Sequence, residues 1–213
     1  MMIVPAILTS EPAEFKKMLK ICKSFTDYVQ IDIMDGIFVP SKSILPDTIE
    51  KTKTTLKSEA HLMVKNPLLW LEAFKKFGAS RIIFHFEAVN NPVKVIKEIK
   101  NYGFEVGLAI NPDTKISDFK HLVEKVTTVL FMSVNPGFYG SKFIPIVCEK
   151  IKKFKKLYPK KIVGIDGGIK FDNISKVIST NVEYICVGSA IFLSDNPRQA
   201  YLKLKEQLKE KKE

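Results

Sequence analysis

The stretch Gln30-Ile31-Asp32-Ile33-Met34-Asp35-Gly36-Ile37-Phe38-Val39-Pro40 decides the fold. An apolar run ends on an acid and then meets a turn. In a strand alternate side chains share a face, so Gln30, Asp32 and Met34 point one way and Ile31 and Ile33 the other. The isoleucines suit packing against helices. A carboxylate between an amide and a methionine does not read as ordinary core. Asp35-Gly36 is a turn signal, and Asp35 suits a capping role better than Asp32 does. A carboxylate at the end of a buried strand, just before a loop, is where a parallel α/β protein places its chemistry.

Working outward, short apolar runs alternate with amphipathic ones. Strands are expected over residues 2–8, 28–34, 56–64, 81–86, 104–110, 127–134, 161–166 and 182–187. Helices are expected over 12–23, 45–52, 68–77, 92–102, 116–125, 144–157, 172–179 and 197–211. Ser10 suits the N-cap of the first helix, Pro92 an early position of the fourth, and Leu69, Ala73 and Phe77 one apolar stripe of the third. Eight strand–helix units favour a (β/α)8 TIM barrel over an open doubly wound sheet, with residues 1–213 forming a single α/β domain.

A length of 213 residues suits one such barrel. The chain is 46% hydrophobic and 27% charged, the balance of a soluble globular protein. It has no apolar run of about 18 residues, so a membrane span is not expected. The N-terminus lacks the features of a signal peptide, which places the protein in the cytoplasm. The net charge of +11 does not imply nucleic-acid binding. Its lysines are scattered on helices alongside glutamates, as in Glu149-Lys150-Ile151-Lys152-Lys153, the pattern of solvated helix faces. That charge can still draw in anionic substrates. Cys22, Cys148 and Cys186 have no metal-type spacing and read as buried free thiols.

In a barrel the loops after the strands form the active face. There stand Asp32, His61 with Met63, Met132, Asp166-Gly167-Gly168 and Gly188-Ser189. If Asp32, His61 and Asp166 all point inward, they can hold a divalent metal such as zinc, manganese or iron. Two carboxylates on opposite walls also suit proton transfer on both faces of one carbon. Equally, His61 could be a hydrogen-bonded core histidine and the aspartates helix caps. The glycine-rich ends of strands 6, 7 and 8 would let backbone N–H groups approach a phosphate.

At these residues the chain resembles the ribulose-phosphate 3-epimerase family. The resemblance runs from Pro5-Ala6-Ile7-Leu8 to Gly188-Ser189-Ala190-Ile191-Phe192. Its most specific pieces are Ile31-Asp32-Ile33-Met34-Asp35-Gly36 with Phe38-Val39-Pro40, His61-Leu62-Met63-Val64, Met132-Ser133-Val134-Asn135-Pro136-Gly137-Phe138, and Asp166-Gly167-Gly168. It implies a barrel that interconverts D-ribulose 5-phosphate and D-xylulose 5-phosphate. Asp32 and Asp166 would be the two proton-transfer groups. Both would also bind a divalent metal (zinc, manganese, iron(II) or cobalt) together with His61. Met34, Met63 and Met132 would wall the reacting centre. Gly137, Phe138, Tyr139, Gly140, Gly167, Gly168, Gly188 and Ser189 would bind the phosphate. The family's habit also implies a homo-oligomer with a sugar phosphate as its small-molecule partner.

The chain departs from the family at two important places. Gln30 stands where the family has a metal-binding histidine, and Ala6, on the pocket wall, where it has a serine. A glutamine carbonyl can ligate a metal, but it is a neutral and weaker donor than imidazole for zinc-like ions. Smaller departures are Ile37, Ser41, Tyr139 and Ser141. These changes leave two alternatives: an epimerase for a related ketose phosphate such as a hexulose 6-phosphate, or a non-catalytic sugar-phosphate-binding homologue. A decarboxylase of the same scaffold would carry Asp-x-Lys-x-x-Asp, whereas here Met34 occupies the lysine's place.

Overall fold

The computed structural model describes residues 1–138 and 140–209. Strand β2 (Tyr28–Met34) lies between β1 (Met2–Ile7) and β3 (Lys57–Met63), parallel to both. Strands β4 (Arg81–His85), β5 (Glu105–Ile110), β6 (Thr128–Met132), β7 (Ile162–Asp166) and β8 (Tyr184–Val187) continue the sheet in chain order. β8 pairs back onto β1 and closes the barrel. This is the (β/α)8 TIM barrel expected from the alternation of short apolar strands and amphipathic helices.

The two-residue period of each strand sorts its side chains between two cores. Ile31, Ile33, Val129, Phe131, Val163 and Ile165 face out and belong to the large apolar layer beneath the helices. Val4, Ala6, Ile83, Ala109, Leu130, Tyr184 and Cys186 form a small cluster inside the barrel. The interior also holds polar side chains, with Gln30, Glu59, His61, His85 and Thr128 all buried. At its lower end Glu59 accepts from Tyr28 and from Arg81 Nη1, at 3.1 and 2.9 Å. Burial still holds Glu59 up, at about 7 against the pull of Arg81.

The helices are α1 (Pro12–Cys22), α2 (Pro46–Lys51), α3 (Leu71–Phe77), α4 (Pro92–Asn101), α5 (Ile116–Phe119), α6 (Ile146–Leu157), α7 (Ile174–Ile178), α8 (Ser189–Phe192) and α9 (Pro197–Gln207). Several differ from expectation. Glu11, not Ser10, is the N-cap of α1; its N–H donates to Thr9 Oγ1. Pro67–Trp70 forms a tight 3-10 turn before α3, which takes Leu69 off the expected stripe and leaves it 71% exposed. α5 is a single turn followed by 3-10 turns over Lys120–Lys125. α6 begins after Pro145, whose ring cannot sit inside a helix. α8, directly after β8, was not anticipated. Among the described residues no helix is long and apolar enough to cross a membrane. Cys22, Cys148 and Cys186 are free and buried.

Candidate active site

Register brings the candidate residues together. Asp32 lies opposite His61 and Met34 opposite Met63 across β2 and β3. Met132 lies opposite Asp166 across β6 and β7, and Asp166 opposite Cys186 across β7 and β8. All sit at the C-terminal ends of their strands. Asp32 and Asp166 are 7% and 8% exposed, at the floor of a cleft; Gln30 and His61 are wholly buried below.

His61 Nδ1 lies 3.0 Å from Asp32 Oδ1 and 3.3 Å from Asp166 Oδ2. Gln30 Nε2 donates to the same two oxygens, at 2.8 and 2.7 Å. Its Oε1 accepts from Cys186 Sγ at 3.0 Å. Every hydrogen-bonding atom of the Gln30 amide is therefore used. Neither aspartate caps a helix, and His61 faces both carboxylates. Asp35, by contrast, ties the loop: Oδ1 accepts from the N–H groups of Ile37 and Phe38, and Oδ2 from that of Lys65.

Burial, reinforced by the charge of Asp166, raises Asp32 to about 6 despite His61 and Gln30. Burial pulls the other way on His61. Hydrogen bonds to Asp166 and Asp32, with their charges, outweigh it and raise His61 to about 10. The two carboxylates thus hold His61 in its charged form, and the point between them favours a cation.

Asp32, His61 and Asp166 each offer one donor atom, His61 Nδ1 lying 3.0 and 3.3 Å from the two carboxylate oxygens. Metal–ligand bonds of about 2.0–2.2 Å span such a set, so the residues fit a divalent ion. Gln30 presents nitrogen, not oxygen, to that point. A half-turn of its amide would bring Oε1 round, and would break the bond from Cys186.

Ala6, Met34, Met63, Met132, Gly137, Phe138, Gly140, Gly167, Gly168, Gly188 and Ser189 all line the cleft above the carboxylates. Tyr139 lies outside the described residues. Gly137 has φ +122°, and a Cβ there would lie 2.9 Å from Pro40 Cδ. The absence of a side chain lets the loop after β6 close on the loop after β2. Ser133 Oγ donates to the carbonyls of Asp166 and Gly167, at 3.0 and 2.7 Å, joining the loops after β6 and β7.

Two residues of this neighbourhood were not singled out from sequence. Cys186 lines the cleft and bonds Gln30. His85, at the end of β4, places Nε2 2.9 Å from His61 Nε2. The signal for His85 was parity: it shares a strand face with Arg81 and Ile83, as His61 does with Glu59 and Met63.

A family model described as the ribulose-phosphate 3-epimerase family matches residues 2–192. The ribulose-phosphate 3-epimerase of Mycobacterium bovis is 32% identical over 212 residues, which cover 97% of this chain and 92% of that protein. That of Bacillus subtilis is 33% identical over 206 residues, 93% of this chain and 95% of its own. Among solved structures, 3-hexulose-6-phosphate synthase from Salmonella typhimurium superposes with a TM-score of 0.72 at 16% identity, covering 99% of both chains. Orotidine 5'-phosphate decarboxylase from Pyrococcus horikoshii does so at 0.68 and 18%, over 98% of this chain and 99% of that one. At those identities the likeness is one of fold.

Proposed function

The chain belongs to the ribulose-phosphate 3-epimerase family, and from that premise we propose that it interconverts D-ribulose 5-phosphate and D-xylulose 5-phosphate. One observation carries the reading. Asp32 and Asp166, from strands separated by β1 and β8, aim carboxylate oxygens at one buried imidazole beneath an open cleft.

One carboxylate takes the C3 proton of the bound ketose phosphate, leaving an enediolate. The other returns a proton to the opposite face of C3. Inverting a carbon needs an acid and a base on its two sides, and Asp32 and Asp166 supply them from two walls of the cleft.

Asp32, His61 and Asp166, with Gln30 Oε1 after a half-turn of its amide, would hold a divalent cation of the zinc, manganese, iron(II) or cobalt type. When bound, it supplies Lewis-acid polarisation of the C2 carbonyl and C3 hydroxyl oxygens. Met34, Met63 and Met132 put thioether and methylene surface beside the reacting carbon and limit the water that reaches it. The backbone at Gly137, Gly140, Gly167, Gly168, Gly188 and Ser189 offers N–H groups to the substrate phosphate. Phe138 stands at the rim of the same cleft. Ala6 contributes only a methyl wall, with no hydroxyl to offer the substrate.

The test is turnover of a substrate panel. Formation of D-xylulose 5-phosphate from D-ribulose 5-phosphate, faster than turnover of any hexulose 6-phosphate, is expected. Better turnover of a hexulose phosphate would contradict the pentulose assignment. Tight binding of the phosphate with no turnover of either would mark a binding protein.

A further inference from the structure

We propose that His85 and Glu87 are positioning residues that set the tautomer of His61, leaving Nδ1 of His61 free to donate its lone pair to a cation. This rests on the metal-dependent reading above. His61 Nε2 and His85 Nε2 lie 2.9 Å apart, so one hydrogen lies between them and only one ring can supply it. The far side of His85 decides which.

His85 Nδ1 and Glu87 Oε2 are both buried, and neither has a hydrogen-bond partner within normal reach. They face each other at 3.5 Å. The other oxygen of Glu87 is already committed. Oε1 accepts from the Asn111 N–H at 2.8 Å and from Thr114 Oγ1 at 2.6 Å. Lys150 Nζ donates to the carbonyls of Asn111, Pro112 and Thr114 and fixes the segment that carries those donors. A carboxylate oxygen only accepts. Among the described residues the polar atom that faces Glu87 Oε2 is His85 Nδ1, and a hydrogen there satisfies it. With that hydrogen in place, neutral His85 presents a bare Nε2, and His61 must donate its own Nε2 hydrogen. A neutral His61 then carries no hydrogen on Nδ1, the atom that faces Asp32 and Asp166. Without this arrangement the two carboxylates would draw the single hydrogen to Nδ1 and remove the lone pair a metal needs.

Glu87→Gln reverses the chain of donors with almost no change in shape. The Asn111 N–H can only donate, so the amide oxygen must stay where Oε1 was. Its NH2 group then faces His85 Nδ1 and demands a lone pair there. His85 becomes a donor through Nε2, and the neutral His61 hydrogen moves to Nδ1.

Two measurements on the full chain test this. Calorimetric titration of metal-stripped protein with zinc or manganese should show affinity about 10–100-fold weaker in Glu87→Gln. His85→Gln, whose carbonyl can still accept from His61 Nε2, should retain most of the affinity that His85→Leu loses. Imidazole nitrogen spectra of metal-stripped protein above about pH 10, where His61 is neutral, should show His85 carrying hydrogen on Nδ1 in the wild type and on Nε2 in Glu87→Gln. Hydrogen on Nε2 of wild-type His85 would overturn the proposal, as would unchanged affinity in a folded Glu87→Gln variant. If Glu87→Gln does not fold, the wild-type spectrum decides. If the wild type binds no divalent cation, the metal-dependent reading fails, and the same spectrum still judges the tautomer.

Discussion

Gln30 on β2 donates Nε2 to Asp166 Oδ2 on β7 at 2.7 Å, although β1 and β8 lie between the two strands. The same nitrogen reaches Asp32 Oδ1, so a neutral amide links the two carboxylates where the family has an imidazole. Gln30→His should tighten zinc binding by metal-stripped protein, on the order of tenfold or more, because imidazole is the better donor for zinc-like ions. Equal affinity, measured by competition with a chelator, would place Gln30 outside the ligand set.

Asp166→Asn removes one proton-transfer group but leaves the glycine loops intact. Epimerisation should fall by about 10²–10⁴-fold or more, while inorganic phosphate still competes for the cleft with wild-type affinity. Activity within a few-fold of wild type would contradict a two-carboxylate mechanism.

Gly168 has φ +64°, and a Cβ there would lie 2.7 Å from Phe143 N and 2.7 Å from Ser141 O. Both contacts are backbone and cannot swing away. Gly168→Ala should therefore cost about 1–3 kcal/mol in backbone strain. It should also raise the KM for a sugar phosphate more than it lowers kcat, because the phosphate loops move and the carboxylates do not. A kcat effect with unchanged KM would detach this loop from substrate binding.

The buried cluster predicts a pH dependence for the metal-stripped fold. His61 stands at about 10, above the ordinary histidine value near 6.5. Its stabilising contribution is thus complete below about pH 6.5 and is lost as pH rises toward 10. Asp32, raised to about 6, acts in the lower window: stability falls as pH rises from about 4 to 6. Denaturant unfolding of wild type and His61→Gln at pH 6.5 and 9 should differ in slope, the wild type losing on the order of 3 kcal/mol more. Parallel pH profiles would contradict the ion-paired histidine.

Much of this was legible in the sequence because the barrel interior follows a two-residue period. The alternation of Gln30, Asp32 and Met34 with Ile31 and Ile33 predicts which side chains face the axis, and they do. The same parity places Ala6, His61 and Met63 correctly. His85 obeys it too, but its importance comes from a contact with His61 on a neighbouring strand, which no local pattern announces. α8 was missed for a different reason: Ser189-Ala190-Ile191-Phe192 is a four-residue run, shorter than any helical period can reveal. Leu69 fell off its stripe because a 3-10 turn advances three residues per turn, whereas the stripe assumed 3.6.

The most direct measurement is solvent-deuterium incorporation at C3 of D-ribulose 5-phosphate. It is run with metal-stripped protein and after adding back zinc, manganese, iron(II) or cobalt. Deuterium at C3 together with D-xylulose 5-phosphate, dependent on at least one of these ions, is the predicted result. Folded protein that gives neither exchange nor product with any ion would contradict proton transfer by Asp32 and Asp166.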